Sequence, residues 1–380
     1  MRLSPTRFDA AALTSAVSTC ALPAASTLNS LTRLLKVELS MKITVAAICS
    51  FLATLLVVAG CLTTSPSQTE LPALTTVPIP TMTTLSDVQR ADGARRVNIP
   101  MDGSLQNPAW SPDSNSLLFT RFRDGYNAEP ADLFVVDLSS SSIRALISDG
   151  SGNVNLPGSS WNPLTRKIVF SSSREPHDEI YLVDDYGSPG DEARITDRAN
   201  MVAYEPSLSP DGQWIVFESH ELDAEDNGTI VKYKVDGTMP YQNLTNPDED
   251  YRQPNWSPTG DKILYQKFSE GQWDIWIMNS NGTNHQKISS GSGDKTDASF
   301  SPDGQWIVYS SNQFGLKFAN LFITSVSEGN AIRITHYEGY DGAPSWSPDG
   351  NKIAFESCPG APDNSPGTTL WIIDVPALSQ

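Results

Sequence analysis

The sequence predicts an all-β fold made of six repeats, on three observations. A short signature, an aromatic residue or Leu followed by Ser-Pro or Asn-Pro, recurs six times. Each repeat holds the same four apolar strips of strand length. The last repeat lacks its fourth strip, and a spare one stands ahead of the first repeat. Repeats of this size arranged around an axis make a propeller. The expected architecture is a six-bladed β-propeller with four-stranded blades, its ring closed by the N-terminal strand completing the last blade.

The signatures begin at Trp110, Trp161, Leu208, Trp256, Phe300 and Trp346, at intervals of 51, 47, 48, 44 and 46 residues. The first strip of each unit ends at this marker. The second strips are 117–119, 167–170, 214–217, 262–265, 306–309 and 352–355. The third are 132–137, 179–184, 230–233, 274–278, 320–323 and 369–374. The fourth are 144–148, 193–196, 242–245, 286–289 and 332–335. β-Branched and aromatic residues in short runs between Gly, Pro and Asp are strands. Ser-Pro-Asp-Gly suits the hairpin between the first two. Pro presets φ, Asp bonds its own backbone, and Gly accepts a positive φ.

The closing strand is legible by phase. Ile99, at the end of Arg96-Val97-Asn98-Ile99, lies 11 residues before Trp110, and Thr335 lies 11 before Trp346. A fourth strand supplied from the other end of the chain removes the open edges of an unclosed array.

Composition narrows the function. Lys and Arg number 26 against 44 Asp and Glu, a formal net charge of −18. Such a chain does not neutralise phosphates, which argues against nucleic acid as a partner. Four Cys in 380 residues exclude a disulfide scaffold.

Residues 1–60 read as a signal region. Lys42 follows Met41, residues 43–59 are apolar, and Val58-Ala59-Gly60 precedes Cys61. A charged start, an apolar core and small residues at the end make a secretory signal. A Cys directly after Ala-Gly resembles the bacterial lipoprotein box, which implies cleavage before Cys61 and a lipid on its sulfur. The plain alternative is a membrane anchor, although the 17-residue run is at the short edge for spanning. Residues 1–40 either precede the true start at Met41 or form a long n-region. Cleavage removes five bases and two acids and leaves a net charge of −21. Residues 61–91 are rich in Thr, Ser and Pro and read as the lipidated Cys and its flexible tether. The propeller then occupies 92–380.

The repeated W-S-P-D-G, I-x-F/Y-x-S, D-I-Y/W and R-I/L-T resemble the β-propeller repeat of the TolB family over about 92–380. The resemblance implies a protein of the Tol-Pal envelope system. It is incomplete, because TolB-type proteins carry an α/β domain before the propeller and are not lipidated. Propeller peptidases carry an α/β-hydrolase domain, and the sequence holds no G-x-S-x-G nucleophile elbow.

Two groups of candidate binding residues follow. Three residues before each marker stand Asn107, Gly158, Glu205, Gln253, Asp297 and Ala343, on the strands that line the channel. With Arg252 and Asp341 nearby, they are candidates at a channel mouth for a cation or a basic peptide end. The alternative is a water-filled channel with solvated acids. The second group lies on the loops between second and third strands, which differ in every unit. Tyr126, Trp273, Phe314 and Phe318 are the aromatic candidates there. The uniform Ser-Pro-Asp-Gly face reads as scaffold.

Metal and catalytic signals are weak. His177, His220, His285 and His336 fall in four units without an H-E-x-x-H pair. Residues 223–228 resemble half a calcium loop, but Lys234 stands where its closing glutamate belongs. Cys358 has no basic neighbour in sequence. No cofactor, resident metal or catalytic residue is expected, with a divalent cation in the channel as the one opening left.

These residues read as a membrane-tethered, non-catalytic module that binds an envelope protein or peptide, itself a monomer outside the cytoplasm. The alternatives are a small-ligand or carbohydrate-binding propeller, a propeller hydrolase or lyase with a channel metal, and a purely structural envelope component. The lipoprotein reading has a direct test. Cys61→Ser should abolish labelling with radioactive palmitate and leave residues 1–60 uncleaved, and a labelled variant would dismiss the reading.

Overall fold

The computed structural model describes residues 85–378, apart from 149–153, 156–159, 175–176, 223–226 and 328–329. The signal region, Cys61, most of the tether, Gly158 and the middle of the calcium-like loop lie outside these residues.

Two short strands come first, β1 (Leu85–Gln89) and β2 (Arg95–Val97). Blade one holds β3 (Ser104–Trp110), β4 (Ser116–Phe122), β5 (Ala131–Asp137) and β6 (Ile143–Ile147). Blade two holds β7 (Val154–Asn155), β8 (Lys167–Ser172), β9 (Glu179–Asp184) and β10 (Ala193–Arg194). Blade three holds β11 (Met201–Leu208), β12 (Trp214–Glu221), β13 (Thr229–Lys234) and β14 (Gln242–Asn243). Blade four holds β15 (Tyr251–Trp256), β16 (Lys262–Ser269), β17 (Gln272–Asn279) and β18 (Gln286–Lys287). Blade five holds β19 (Lys295–Phe300), β20 (Trp306–Ser311), β21 (Asn320–Ser325) and β22 (Ala331–Arg333). Blade six holds β23 (Tyr340–Trp346), β24 (Lys352–Cys358) and β25 (Thr369–Asp374). All pairs are antiparallel, and the six sheets form a six-bladed propeller.

The chain closes as the phase of Ile99 foretells. β2 pairs with β25, Arg95 opposite Ile372 and Arg96 opposite Trp371. β1 then adds a fifth strand outside β2. The sequence places residues 85–89 in the tether, because Leu-Ser-Asp-Val-Gln is short and shows no apolar alternation. Backbone pairing on an available edge makes it a strand.

The repeated turn behaves as its residues dictate. The Ser111 hydroxyl donates to Asp113 at 2.6 Å and accepts from the Ser116 amide at 2.9 Å. Ser209 with Asp211, Ser301 with Asp303 and Ser347 with Asp349 repeat the hydroxyl–carboxylate bond. The residue after Asp takes positive φ, at 70° for both Gly212 and Gly304, and Ser114 takes 58° where the other turns use Gly. A cationic side chain on the fourth strip ties it to the head of the third. Glu179 accepts from Arg194 at 2.9 Å, Asp274 from Lys287 at 2.5 Å, and Asn320 from Arg333 at 2.7 Å. The Thr of R-I-T accepts the backbone amide at the head of the third strand, as from Ile180 to Thr196 at 2.8 Å.

The apolar residues pack between blades rather than in one centre, as six clusters each shared by two neighbours. Strand direction divides the turns between two faces. The Ser-Pro-Asp-Gly hairpins lie on one, the turn face. The second-to-third-strand hairpins and the links between blades lie on the other, the loop face. Because β1 is antiparallel to β2, its first residue, Leu85, lies at the loop face.

One arginine fastens the closing segment. Arg90 makes a two-point bond to Asp341, at 2.8 and 2.9 Å, and also holds Asp92 at 3.1 Å. Its guanidinium lies 4.4 Å from the Tyr337 ring centroid, 5.3 Å from Phe355 and 5.1 Å from Trp371. The Asp341 side chain is 0% exposed. Removing one partner of such a pair strands a buried charge and costs about 3–5 kcal/mol. Arg90→Ala should therefore lower the urea midpoint of unfolding markedly, and adding Asp341→Asn should recover part of the loss. An unchanged midpoint would show that closure does not depend on this contact.

Candidate functional site

Among the described residues, the first strand of five blades is kinked where it lines the channel. Its pairing register breaks between Gln106 and Ala109, and at the matching place in blades three to six. Inside each break one residue takes positive φ: Asn107 (51°), Glu205 (45°), Gln253 (51°), Asp297 (55°) and Ala343 (46°). A bulge of this kind re-aims a side chain and takes its amide out of the ladder. Pro108, Pro206, Pro254 and Pro344 follow four of the five, so the next ladder donor is missing as well. The kink recurs at Ala343, so it belongs to the architecture. What differs is the side chain it presents.

Those side chains form a polar belt. Gln253 Nε2 donates to Glu205 Oε1 at 3.0 Å and to Asp297 Oδ1 at 2.9 Å. The Asp297 amide donates to Gln253 Oε1 at 2.9 Å. Glu205 accepts the Gln253 amide, and Asp297 accepts the Ala343 amide. Glu205, Gln253 and Asp297 thus each hold the freed amide of the next blade. Ala343 has nothing to offer Asn107, and Glu356 of β24 takes over, accepting the Asn107 amide at 3.1 Å. Glu356 also accepts the Tyr340 hydroxyl at 3.2 Å, and Tyr340 meets Tyr126 at 3.4 Å.

Burial dominates the charge state of the belt. It pushes Glu205 up to about 7 and Glu356 up to about 8, with the Asp297 charge adding to both. Asp297 is raised by burial, and Glu218 well above the usual range by burial and then by Glu205. The cavity inside the belt, lined by Asn107, Glu205, Gln253, Asp297 and Ala343 among others, is about 40 Å³. That is room for water rather than for a side chain of a partner. Among the described residues no three of His, Cys, Asp and Glu gather into a group able to hold a metal ion.

The structure thus brings together four of the channel candidates, Asn107, Glu205, Gln253 and Asp297. Asp341 is not with them: it is fully buried and bound to Arg90. Arg252 bonds Asp250 at 3.1 Å, and its guanidinium lies 5.3 Å from the ring centroid of Trp273, a loop-face candidate. Tyr126 turns inward onto Tyr340. Lys317 Nζ lies 4.9 Å from the Phe318 ring centroid. Phe314 alone of the four aromatics is well exposed, at 76%. Cys358 is buried, which pushes its thiol up and away from reactivity.

A larger cavity near the axis opens on the turn face. All six markers, Trp110, Trp161, Leu208, Trp256, Phe300 and Trp346, line one funnel of about 320 Å³, with five signature prolines. It shares Asn255 and Ser299 with the belt cavity, so the funnel leads down to the belt. This volume is in the range of ligand pockets, and the wall is largely apolar. Leu164, on the funnel wall, is 72% exposed. The sequence reading took this face as scaffold. The signal was present: six markers at one phase of the innermost strands must converge at one end of the axis.

The sequence profile of the TolB beta propeller domain (PD40) matches residues 84–266 and 242–359. An uncharacterised protein of Agrobacterium fabrum, Atu1656, is 30% identical over 42% of this chain and 53% of its own length. The Tol-Pal system protein TolB of Francisella tularensis subsp. mediasiatica is 28% identical over 49% of this chain and 41% of its own. The chain thus spans about half or less of the curated relatives it matches. Among solved structures, TolB from Acinetobacter baumannii superposes with a TM-score of 0.52 at 18% identity, covering 73% of this chain and 65% of that one. An oligogalacturonate lyase from Vibrio parahaemolyticus does so with 0.51 at 14% identity, covering 77% and 97%. At these identities the structural likenesses show the fold alone.

The belt makes stability depend on pH. Glu356 has a folded value of about 8 against an ordinary 4.5, so the folded state holds its proton more tightly than the unfolded chain does. Its contribution is full below about 4.5 and is lost as pH rises toward 8. Glu356→Gln keeps the acceptor and removes the titration. It should raise the melting temperature at pH 8 by the equivalent of about 1 kcal/mol or more, and change it little at pH 4.5. An equal shift at both pH values would refute the assignment.

Proposed function

Because the chain belongs to the TolB β-propeller domain family, we propose that it is a non-catalytic binding module of the cell envelope that takes a segment of a partner protein into the turn-face funnel. The observation that carries this reading is the convergence of all six markers on one apolar cavity. A buried apolar pocket with polar groups at its floor is where a partner anchors. The belt below is engaged in its own hydrogen bonds, which argues for a structural role there and for recognition in the funnel above it.

The proposal includes attachment through Cys61. Tethering raises the local concentration of the module at the membrane. Among the described residues no helix is long and apolar enough to cross a membrane. A net charge of −18 favours basic partners at low salt.

Site-specific photocrosslinking in intact cells tests the reading. A benzophenone residue in place of Leu164, at the funnel, should capture a defined protein. The same probe in place of Phe314, on the loop face, should capture far less of it. Capture from Phe314 alone would move the binding face to the loops, and capture from neither would dismiss a protein partner at this funnel.

A further inference from the structure

We propose that the loop-face end of blade three holds a second binding site, for a small zwitterion of the α-amino-acid class, whose carboxylate meets Arg198 and whose ammonium group meets Glu221. This site is apart from the funnel and does not depend on it.

The first observation is a cation without a counterion. Other half-buried arginines bond an acceptor side chain, as Arg90 does Asp341, Arg252 does Asp250 and Arg333 does Asn320. The Arg198 side chain has no hydrogen bond or ion pair among the described residues. Glu179 is close enough to act on its charge. That carboxylate is already taken, by the Arg194 side chain at 2.9 Å and the Arg198 backbone amide at 2.8 Å. Burial pushes the guanidinium down from the usual arginine range. A half-buried charge left in this state gains from an anion brought to it.

The second observation is that the guanidinium is already oriented. It lies over the Tyr241 ring at 4.8 Å from the centroid and over Phe217 at 5.8 Å. Tyr241 in turn stacks on Tyr233 at 4.1 Å. The backbone is fixed on both sides, the amide by Glu179 and the carbonyl by His177 Nε2 at 2.9 Å. Aromatic contact occupies the flat faces of the guanidinium and leaves its edges. Nη1 is sealed from solvent, whereas Nε and Nη2, equally without partners, are not. A planar carboxylate matches the Nε–Nη2 edge with two parallel bonds.

The third observation is what shares the space. Arg198, Met201, Glu221, Asn227, Asn243 and Pro247 are among the residues lining a pocket of about 230 Å³. Glu221 stands opposite Met201 on the neighbouring strand. Its carboxylate has no hydrogen bond or ion pair among the described residues either. Opposite charges thus share one cavity without meeting. A simple anion would satisfy Arg198 and be repelled by Glu221, and a simple cation the reverse. A zwitterion satisfies both. The side-chain amides of Asn227 and Asn243 have no partner among the described residues and can donate to its carboxylate. Met201 and Pro247 offer an apolar wall to its side chain.

Isothermal titration calorimetry of the full-length chain in detergent micelles tests the site. The probes are L-leucine, 4-methylpentanoate, which lacks the ammonium group, and 3-methylbutylamine, which lacks the carboxylate. Leucine should bind, and each single-charged probe should bind at least about tenfold more weakly. Glu221→Gln should weaken leucine about tenfold without weakening 4-methylpentanoate. Arg198→Gln should weaken both. An unchanged melting temperature checks folding, and Glu221→Gln, at an exposed position, decides if Arg198→Gln destabilises the blade. 4-Methylpentanoate binding as tightly as leucine, or leucine binding unaffected by Glu221→Gln, would overturn the proposal. So would a lack of heat from leucine. Heat that appears only after Asp223, Glu225 and Asp226 are changed to their amides would show that carboxylates of the chain itself fill the site, and the proposal would fall.

Discussion

Closure of the ring is the constraint on which the rest depends. Each apolar cluster is shared by two blades, so no blade has a core of its own. The cluster between blades five and six includes Ala94, and the one between blades six and one includes Val97 and Ile99. The N-terminal segment is therefore part of two of the six cores as well as the last strand of a sheet. Arg90 reinforces it by a mechanism different from packing. Its charge meets two carboxylates, and its flat face lies against three aromatic rings. Guanidinium suits this double duty because it is planar and always charged. Burial alone drives Asp341 toward protonation, and the Arg90 contact opposes it. The pair thus holds the seam at the place where the two ends of the chain meet.

The belt solves a second problem created by the fold. A bulge on the innermost strand of five blades turns one amide away from its ladder, toward a channel too narrow for much water. Side chains from the neighbouring blade accept those amides in turn. Glu205, Gln253 and Asp297 do this directly, and Glu356 fills the gap left by Ala343. Carboxylates such as Glu205 and Asp297 in one channel look like a site when read from sequence. Their hydrogen bonds show why they can be structural instead: each has an amide or a hydroxyl to accept. The cost is electrostatic, since burial holds Glu205 and Glu356 near the point of titration.

Most of the fold was legible because its chemistry repeats. The Ser-Pro-Asp-Gly turns, the acidic start of the third strip and the Arg-Ile-Thr of the fourth each have a local bond to explain them. The closing strand was legible from phase alone. What escaped was what repetition does not carry. β1 forms on an edge by backbone pairing, and Leu85–Gln89 has no side-chain pattern to announce it. Asp341 sits near the belt residues in sequence, but Arg90, some 250 residues away, decides its role. Glu356 lies on a second strand, outside the set chosen by distance from the markers. The loop aromatics were chosen for variability, and all four have a partner: Tyr126 with Tyr340, Trp273 with Arg252, Phe318 with Lys317, and Phe314 with Phe322 at 5.9 Å between ring centroids.

The funnel was missed for the opposite reason, since uniformity looked like scaffold. In a closed ring, however, uniformity on the inner strands is convergence. A residue that only packs its own blade when taken singly becomes one-sixth of a wall when repeated. The four wall tryptophans then separate by position. Trp110 and Trp346 flank the seam between blades six and one, and both donate their indole N–H to backbone carbonyls of blade six, the blade that closes the ring. Trp161 and Trp256 lie away from the seam, and their indole N–H groups have no partner among the described residues. The Trp110 bond crosses the seam from blade one to blade six, and the Trp346 bond stays within its own hairpin. Closure thus breaks the sixfold equivalence of the wall at the one place where the frame is not continuous.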